Sequence, residues 1–200
     1  MIKAIIFDYG GVISDGGSGN EVSVRLAKSL DISNEEAFDL LLGPWHKLFD
    51  GSVDETGFWE LIEKRYGSNI PLDNRGIWNS WEDMKPRPEL IEFVNELKTK
   101  KYIVGLLSNI VPHTEALIRE GGAYDLFDPC ILSFKVHSAK PDINIYKELL
   151  KQLPGIAPDE VIFVDDQERC LVPAKELGIK VVLASNSEQI ISDIDKMLAD

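Results

Sequence analysis

The chain is poor in cysteine, in strings of basic charge and in long apolar runs. Cys130 and Cys170 are its two cysteines in 200 residues. They lack the close spacing of a metal site, and so few thiols build no disulfide scaffold. A reduced, cytoplasmic setting is the expectation. No run of five or more Lys or Arg occurs, and the formal net charge is -13, from 21 basic and 34 acidic residues. That balance argues against nucleic acid or an anionic membrane as partner. No apolar stretch reaches the roughly 20 residues of a bilayer span. The first residues enter an apolar strand pattern directly, without the basic n-region and long h-region of a signal peptide, so none is expected. Internal repeats and low-complexity segments are absent too. What the chain does have is 44% hydrophobic residues, enough for one good core and a small second lobe.

Two of its apolar runs stop on acids. Met1 to Phe7 (MIKAIIF) is followed at once by Asp8-Tyr9-Gly10-Gly11-Val12, and Val161 to Val164 by Asp165-Asp166. A hydrophobic run ending on an acid reads as a buried strand that delivers a charge to the edge of a sheet. In open α/β sheets that carboxyl edge is where ligands bind. Two such acids brought together offer the oxygen ligands that Mg²⁺ prefers, and one of them could attack a phosphoryl group that the metal neutralises.

After about residue 87 strands and helices alternate. Pro88 opens a helix at a tolerated first-turn position, and Leu90, Phe93, Val94 and Leu97 give it one apolar face. Further strands are expected at Tyr102–Leu107, Cys130–Phe134 and Ile179–Leu183, beside that at 161–164. Helices are expected near Thr114–Arg119, Ile143–Leu153, Leu171–Leu177 (with Pro173 in its first turn,) and Glu188–Leu198. Apolar strands without strict alternation imply a mainly parallel sheet covered on both faces. Residues 15–86 break this rhythm. They carry helical patterns at Val22–Leu30, Asn34–Leu42, Glu55–Tyr66 and roughly Asn74–Met84, and Ser33 to Glu36 reads as a helix start. Residues 15–19 and 85–88 are the expected hinges. The expected organisation is an α/β core from 1–14 and 87–200, with 15–86 a helical insertion that can close over the carboxyl edge as a lid.

Four short pieces then line up in order: Phe7-Asp8-Tyr9-Gly10-Gly11-Val12, Leu107-Ser108-Asn109, Ala139-Lys140-Pro141-Asp142 and Phe163-Val164-Asp165-Asp166. Together they make the chain resemble the haloacid dehalogenase (HAD) superfamily of hydrolases, in the branch with a helical cap after the first strand. The resemblance covers the whole chain and implies a Rossmann-type, five-stranded parallel core. It implies a Mg²⁺-dependent phosphatase for a small phosphorylated metabolite, with Asp8 as nucleophile forming an aspartyl-phosphate. Ser108, with the backbone N–H of Asn109, would bind phosphate oxygens. Lys140 would neutralise Asp8 and the phosphoryl group. Mg²⁺ would be held by Asp8, by Asp166 and by the backbone carbonyl of Gly10, with Asp165 supporting through water or from behind. Trp45 and His46, in the cap segment before the turn at Asp50-Gly51-Ser52, are candidate substrate contacts. Monomer and homodimer both stay open.

One position departs from the family pattern. Its phosphatases usually carry a second acid two residues after the nucleophile, which protonates the leaving oxygen and later activates water; here that residue is Gly10. Another group or water could substitute, with Asp15 one candidate acid. The substrate could carry a good leaving group. Or the protein could bind phosphate and metal with little turnover. A C–halogen hydrolase of the same fold needs no metal, and the acidic pair at 165–166 argues against it. Cys170 stands where the family often has Asn, and reads as a small buried thiol at a helix start.

Overall fold

A computed structural model describes residues 1–16, 19–68, 70 and 84–199 of the chain. Five strands, β1 (Ala4–Phe7), β2 (Ile103–Ser108), β3 (Cys130–Leu132), β4 (Val161–Asp165) and β5 (Lys180–Leu183), form one sheet in the order β3-β2-β1-β4-β5. All four pairings are parallel, with Phe7 in register with Leu106 on one side and Val164 on the other. β1 and β4 are buried along their whole length. Alternate side chains of a strand point to opposite faces, and each face of β1 finds its own cover. Ile5 and Phe7 join Leu90 and Phe93 of α4 (Pro88–Thr99) and Ile190 and Ile194 of α9 (Ser187–Ala199). Ala4 and Ile6 join Ile145 and Leu149 of α7 (Ile143–Lys151) and Leu171 and Ala174 of α8 (Glu168–Glu176). Both faces are therefore dry, which is why the strands read as plain apolar runs.

Between β1 and α4 the chain forms α1 (Gly19–Leu30), α2 (Asn34–Phe49) and α3 (Glu55–Tyr66). α2 starts as its sequence says. Ser33 Oγ accepts the Glu36 N–H at 3.2 Å and Glu36 Oε2 accepts the Ser33 N–H at 2.9 Å, a closed capping box,. Leu26, Leu41, Phe58 and Ile62 pack between the three helices, and their cluster continues into that of the sheet through Tyr9, Val12 and Ile13. No helix among the described residues is long and apolar enough to cross a membrane.

Several boundaries differ from expectation. α2 does not stop at Leu42 but runs through Gly43-Pro44 to Phe49. Pro44 forfeits one hydrogen bond, to the carbonyl four residues back, yet Pro44, Trp45 and Leu48 are all buried, and that burial carries the helix across. Trp45 and His46 thus lie on the helix itself. α8 begins at Glu168, so Pro173 sits in its interior rather than its first turn; the bond it loses is to Arg169, only two residues into the helix. β3 ends at Leu132, and Ser133–Val136 turn into the short helix α6. There Ser133 Oγ accepts the Ile110 N–H at 3.1 Å, which ties the loop after β2 to the loop after β3. α5 spans Pro112–Glu120. The helix expected at 74–84 lies outside the described residues except for Met84, as do Gly17 and Ser18 of the first hinge. Across the two connections Arg87 Nε bonds to Asp15 Oδ1 at 2.5 Å.

Candidate active site

After β1 the chain builds β2 and β3 to one side of it, then crosses to β4 on the other. The crevice beyond the carboxyl ends of β1 and β4 is therefore the topological switch point of the sheet, the place such folds bind ligands. Asp8 stands at its centre. The Asp8 N–H donates to Val164 O at 2.9 Å, which sets the residue abreast of the end of β4. Its Oδ1 accepts the Tyr9 N–H at 2.7 Å, and its Oδ2 lies 2.9 Å from Lys140 Nζ. The same ammonium lies 2.6 Å from Asp165 Oδ2. Asp165 Oδ1 accepts the Gln167 N–H at 2.8 Å, so both of its oxygens are engaged.

The charges here are nearly dry, since Asp8, Lys140 and Asp165 are 6%, 5% and 0% exposed. Burial disfavours a charged carboxylate and pushes Asp8 upward; Lys140 opposes this and the Asp165 charge adds to it,. Burial alone would lower Lys140, but the Asp165 and Asp8 carboxylates hold its ammonium above the usual range. Asp166 is raised as well, first by burial and then by Asp165. Among the described residues, the single buried cation Lys140 faces three acids, which leaves the depth of the crevice short of positive charge.

The donor set fits a hard cation. Asp8, Asp165 and Asp166 can each offer one oxygen with all of these atoms within 4.8 Å of one another, the oxygen-only setting of Mg²⁺. Asp166 Oδ1 is buried and has no hydrogen-bond partner among the described residues. A buried carboxylate oxygen is costly to leave unpaired, and a cation beside it removes the cost. Gly11 makes room for that carboxylate. Its φ is +74°, and a Cβ there would stand 2.5 Å from Asp166 Oδ2. Only glycine allows both the turn and the close approach.

Ser108 ends β2 and is buried at the same edge. Asn109 does something the sequence did not suggest. Its Oδ1 accepts the Lys140 N–H at 2.8 Å and its Nδ2 donates to Lys140 O at 2.8 Å, so its side chain clamps the backbone of the lysine. Asp15, one candidate for a replacement acid, is 81% exposed at its side chain and paired with Arg87, as a solvated hinge acid would be. Cys170 lies in the first turn of α8 and is buried, which pushes its thiol up to about 12.

A cavity of about 630 Å³ opens between this edge and α2. Asp8, Gly10, Ser108, Asn109, Lys140 and Asp166 line its floor, and Trp45 and His46 its far wall. Trp45 is buried and stacks on Phe49 with centroids 5.8 Å apart. The His46 side chain is 61% exposed, with Nδ1 3.8 Å from Asp50 Oδ2. Phe38, Leu42 and Phe49 of α2 share that wall, and Arg169 of α8 joins the lining from the sheet side; none of them was assigned a role from the sequence. The signal for the first three was present in the sequence, as an apolar series 38, 42, 45, 49 at helical spacing, but it is legible only if α2 continues past Pro44.

Residues 2–178 match the haloacid dehalogenase-like hydrolase family. A sesquiterpene phosphatase from Aspergillus oryzae is 28% identical over 88% of this chain and 87% of its own. A glyceraldehyde 3-phosphate phosphatase from Methanocaldococcus jannaschii is 28% identical over 91% and 84% respectively. Among solved structures, a HAD family enzyme from Bacteroides thetaiotaomicron in complex with magnesium and inorganic phosphate superposes with a TM-score of 0.72, at 25% identity over 92% of this chain and 95% of that one. With four motifs gathered at one sheet edge and a match over most of its length, the chain belongs to the haloacid dehalogenase-like hydrolases.

Proposed function

We propose that the protein is a Mg²⁺-dependent phosphatase of a small phosphorylated metabolite, working through a phosphoryl group carried on Asp8. The observation that carries this reading is the buried Asp8–Lys140–Asp165 chain, with an Asp166 oxygen beside it that has no partner among the described residues. The relatives named above are phosphatases, and the magnesium and phosphate bound by the structural neighbour support the same chemistry. Asp8, Asp166 and the Gly10 carbonyl would hold the ion, with Asp165 behind them. Mg²⁺, when bound, supplies the positive charge that the crevice lacks and neutralises phosphoryl oxygens. Lys140 favours the ionised form of Asp8 against its burial and would adjoin the phosphoryl group from the other side. Ser108 Oγ and the Asn109 N–H take up its oxygens. The Asp8 carboxylate oxygen attacks phosphorus in line, the P–O bond to the alcohol breaks, and water then releases phosphate from Asp8. Helices α1–α3 act as the cap that keeps bulk water out. The proposed setting is cytoplasmic, with both cysteines free thiols.

Gly10 brings no acid to the leaving oxygen, so the rate should depend on how readily the alcohol leaves without a proton. The test is steady-state hydrolysis of aryl, acyl and alkyl phosphates with and without Mg²⁺, on wild type and Gly10→Asp. Metal-dependent turnover that favours aryl and acyl phosphates is expected, with Gly10→Asp helping alkyl esters most. Metal binding without turnover of any ester would replace this reading with that of a phosphate- and metal-binding protein.

A further inference from the structure

A helix that covers a sheet edge needs one apolar face. α2 has two. Ala37, Leu41, Pro44 and Leu48 are buried in the packing of the helical layer. A second series, Phe38, Leu42, Trp45 and Phe49, follows at i, i+4, i+7 and i+11, along one stripe. Its first two members are 41% and 46% exposed, and all four line the cavity over Asp8. Single exposed apolar residues need no explanation. An aligned apolar series facing a cavity that also holds a reacting carboxylate does.

The polar groups of the cavity are distributed just as unevenly. Among the described residues, every Asp, Lys and Arg on its wall (Asp8, Lys140, Asp166 and Arg169) comes from the sheet side. α2 contributes His46, which already faces Asp50, and the single buried indole N–H of Trp45. The wall that meets the alcohol portion of the ester therefore offers hydrocarbon and aromatic surface, and it would leave several hydroxyls of a sugar or polyol without partners. Desolvating unpaired hydroxyls is unfavourable, whereas apolar surface gains from the same contact.

On the phosphatase reading above, we infer that the substrate is a phosphomonoester of an uncharged, hydrocarbon-rich alcohol, with Phe38 and Leu42 as specificity-determining contacts. Two measurements decide it. The first is calorimetry on the wild-type protein with Mg²⁺ and two non-hydrolysable phosphonates, octylphosphonate and 3,4-dihydroxybutylphosphonate. Octylphosphonate should bind at least about tenfold tighter, since each methylene in an apolar pocket is worth about that factor. Equal affinity, or preference for the dihydroxy compound, overturns the inference whether or not any ester is hydrolysed. The second is the ratio of kcat/KM for octyl phosphate to that for glycerol 3-phosphate. It should exceed about ten, and fall by about tenfold or more in Phe38→Ser/Leu42→Ser. Both side chains sit outside the packed interior, so the variant should fold, and its circular dichroism and thermal midpoint check this. An unchanged ratio in the folded variant removes the role of these two residues. Absence of turnover with every ester would defeat the phosphatase reading alone, and the phosphonate pair would still decide the apolar preference.

Discussion

Two walls of one cavity are built on opposite principles. The sheet side buries ions: Lys140 lies 2.9 Å from Asp8 and 2.6 Å from Asp165, all of them almost out of water. The α2 side leaves apolar groups uncovered, with Phe38 and Leu42 41% and 46% exposed. Each is the costly arrangement for its residue type. Charges are cheapest in water and hydrocarbon is cheapest in a core. A fold selected for stability alone would exchange them. Both costs fall where the two walls face each other. On the function proposed above, the ionic wall would take a phosphoryl group and a cation, and the apolar wall what the phosphoryl group is attached to.

The largest expected effect tests the ionic wall at its centre. Asp8→Asn keeps the shape and removes the nucleophile, so Mg²⁺-dependent hydrolysis should fall by on the order of a thousandfold or more. Retention of a tenth of the wild-type rate would end the covalent mechanism. Next is Lys140→Met. It leaves Asp8 and Asp165 buried against each other with no cation between them. Breaking a buried pair by removing one partner costs about 3–5 kcal/mol, read as a fall in the urea midpoint without Mg²⁺. A loss under about 1 kcal/mol would mean that the ion pairs of Lys140 add little to stability. Asn109→Ala should cost less, about 1–3 kcal/mol, because it strips two hydrogen bonds from the buried backbone of Lys140,. As a residue that acts through Lys140, Asn109 should show in kcat more than in KM; the reverse would make it a substrate contact.

How much of this could be read beforehand follows from the range of the interactions. β1 and β4 are apolar runs that end on acids, a local pattern, and Asp8, Asp165 and Asp166 lie where those runs place them. Ser33 and Glu36 close their box within four residues, so the start of α2 was equally legible. The end of α2 was not. Pro44 is a local stop signal, and the burial of Trp45 and Leu48 that overrides it comes from packing against residues far along the chain. Phe38 and Leu42 stayed hidden for the same reason, because their meaning depends on which part of the sheet edge α2 overlies. The clamp from Asn109 to Lys140 spans 31 positions, and no spacing rule announces it. Motif order did foretell that the four pieces meet at one edge of the sheet, since the parallel topology brings the carboxyl end of every strand there.

The smallest expected effect sharpens the contrast by repeating its chemistry where water reaches it. Asp15 and Arg87 form the same kind of contact as Asp8 and Lys140, at 2.5 Å, but the Asp15 side chain is 81% exposed. Solvent screens such a pair, and exposed ion pairs contribute about 0–1 kcal/mol. The connection does not depend on it either. The Arg87 N–H donates to Ile13 O at 2.7 Å, and Ser14 pairs with Pro86 through the backbone. Asp15→Asn should therefore shift the urea midpoint by less than about a quarter of what Lys140→Met does, and the shift should vanish near 1 M salt, where the screening length is about 3 Å. The effect of Lys140→Met should survive the same salt, because ions do not reach a buried pair. If Asp15→Asn instead cost about 2 kcal/mol or more at high salt, the strand-to-helix connection would be held by that pair. The junction between the two connections would then rest on a side chain rather than on the backbone bonds of Arg87 and Ser14.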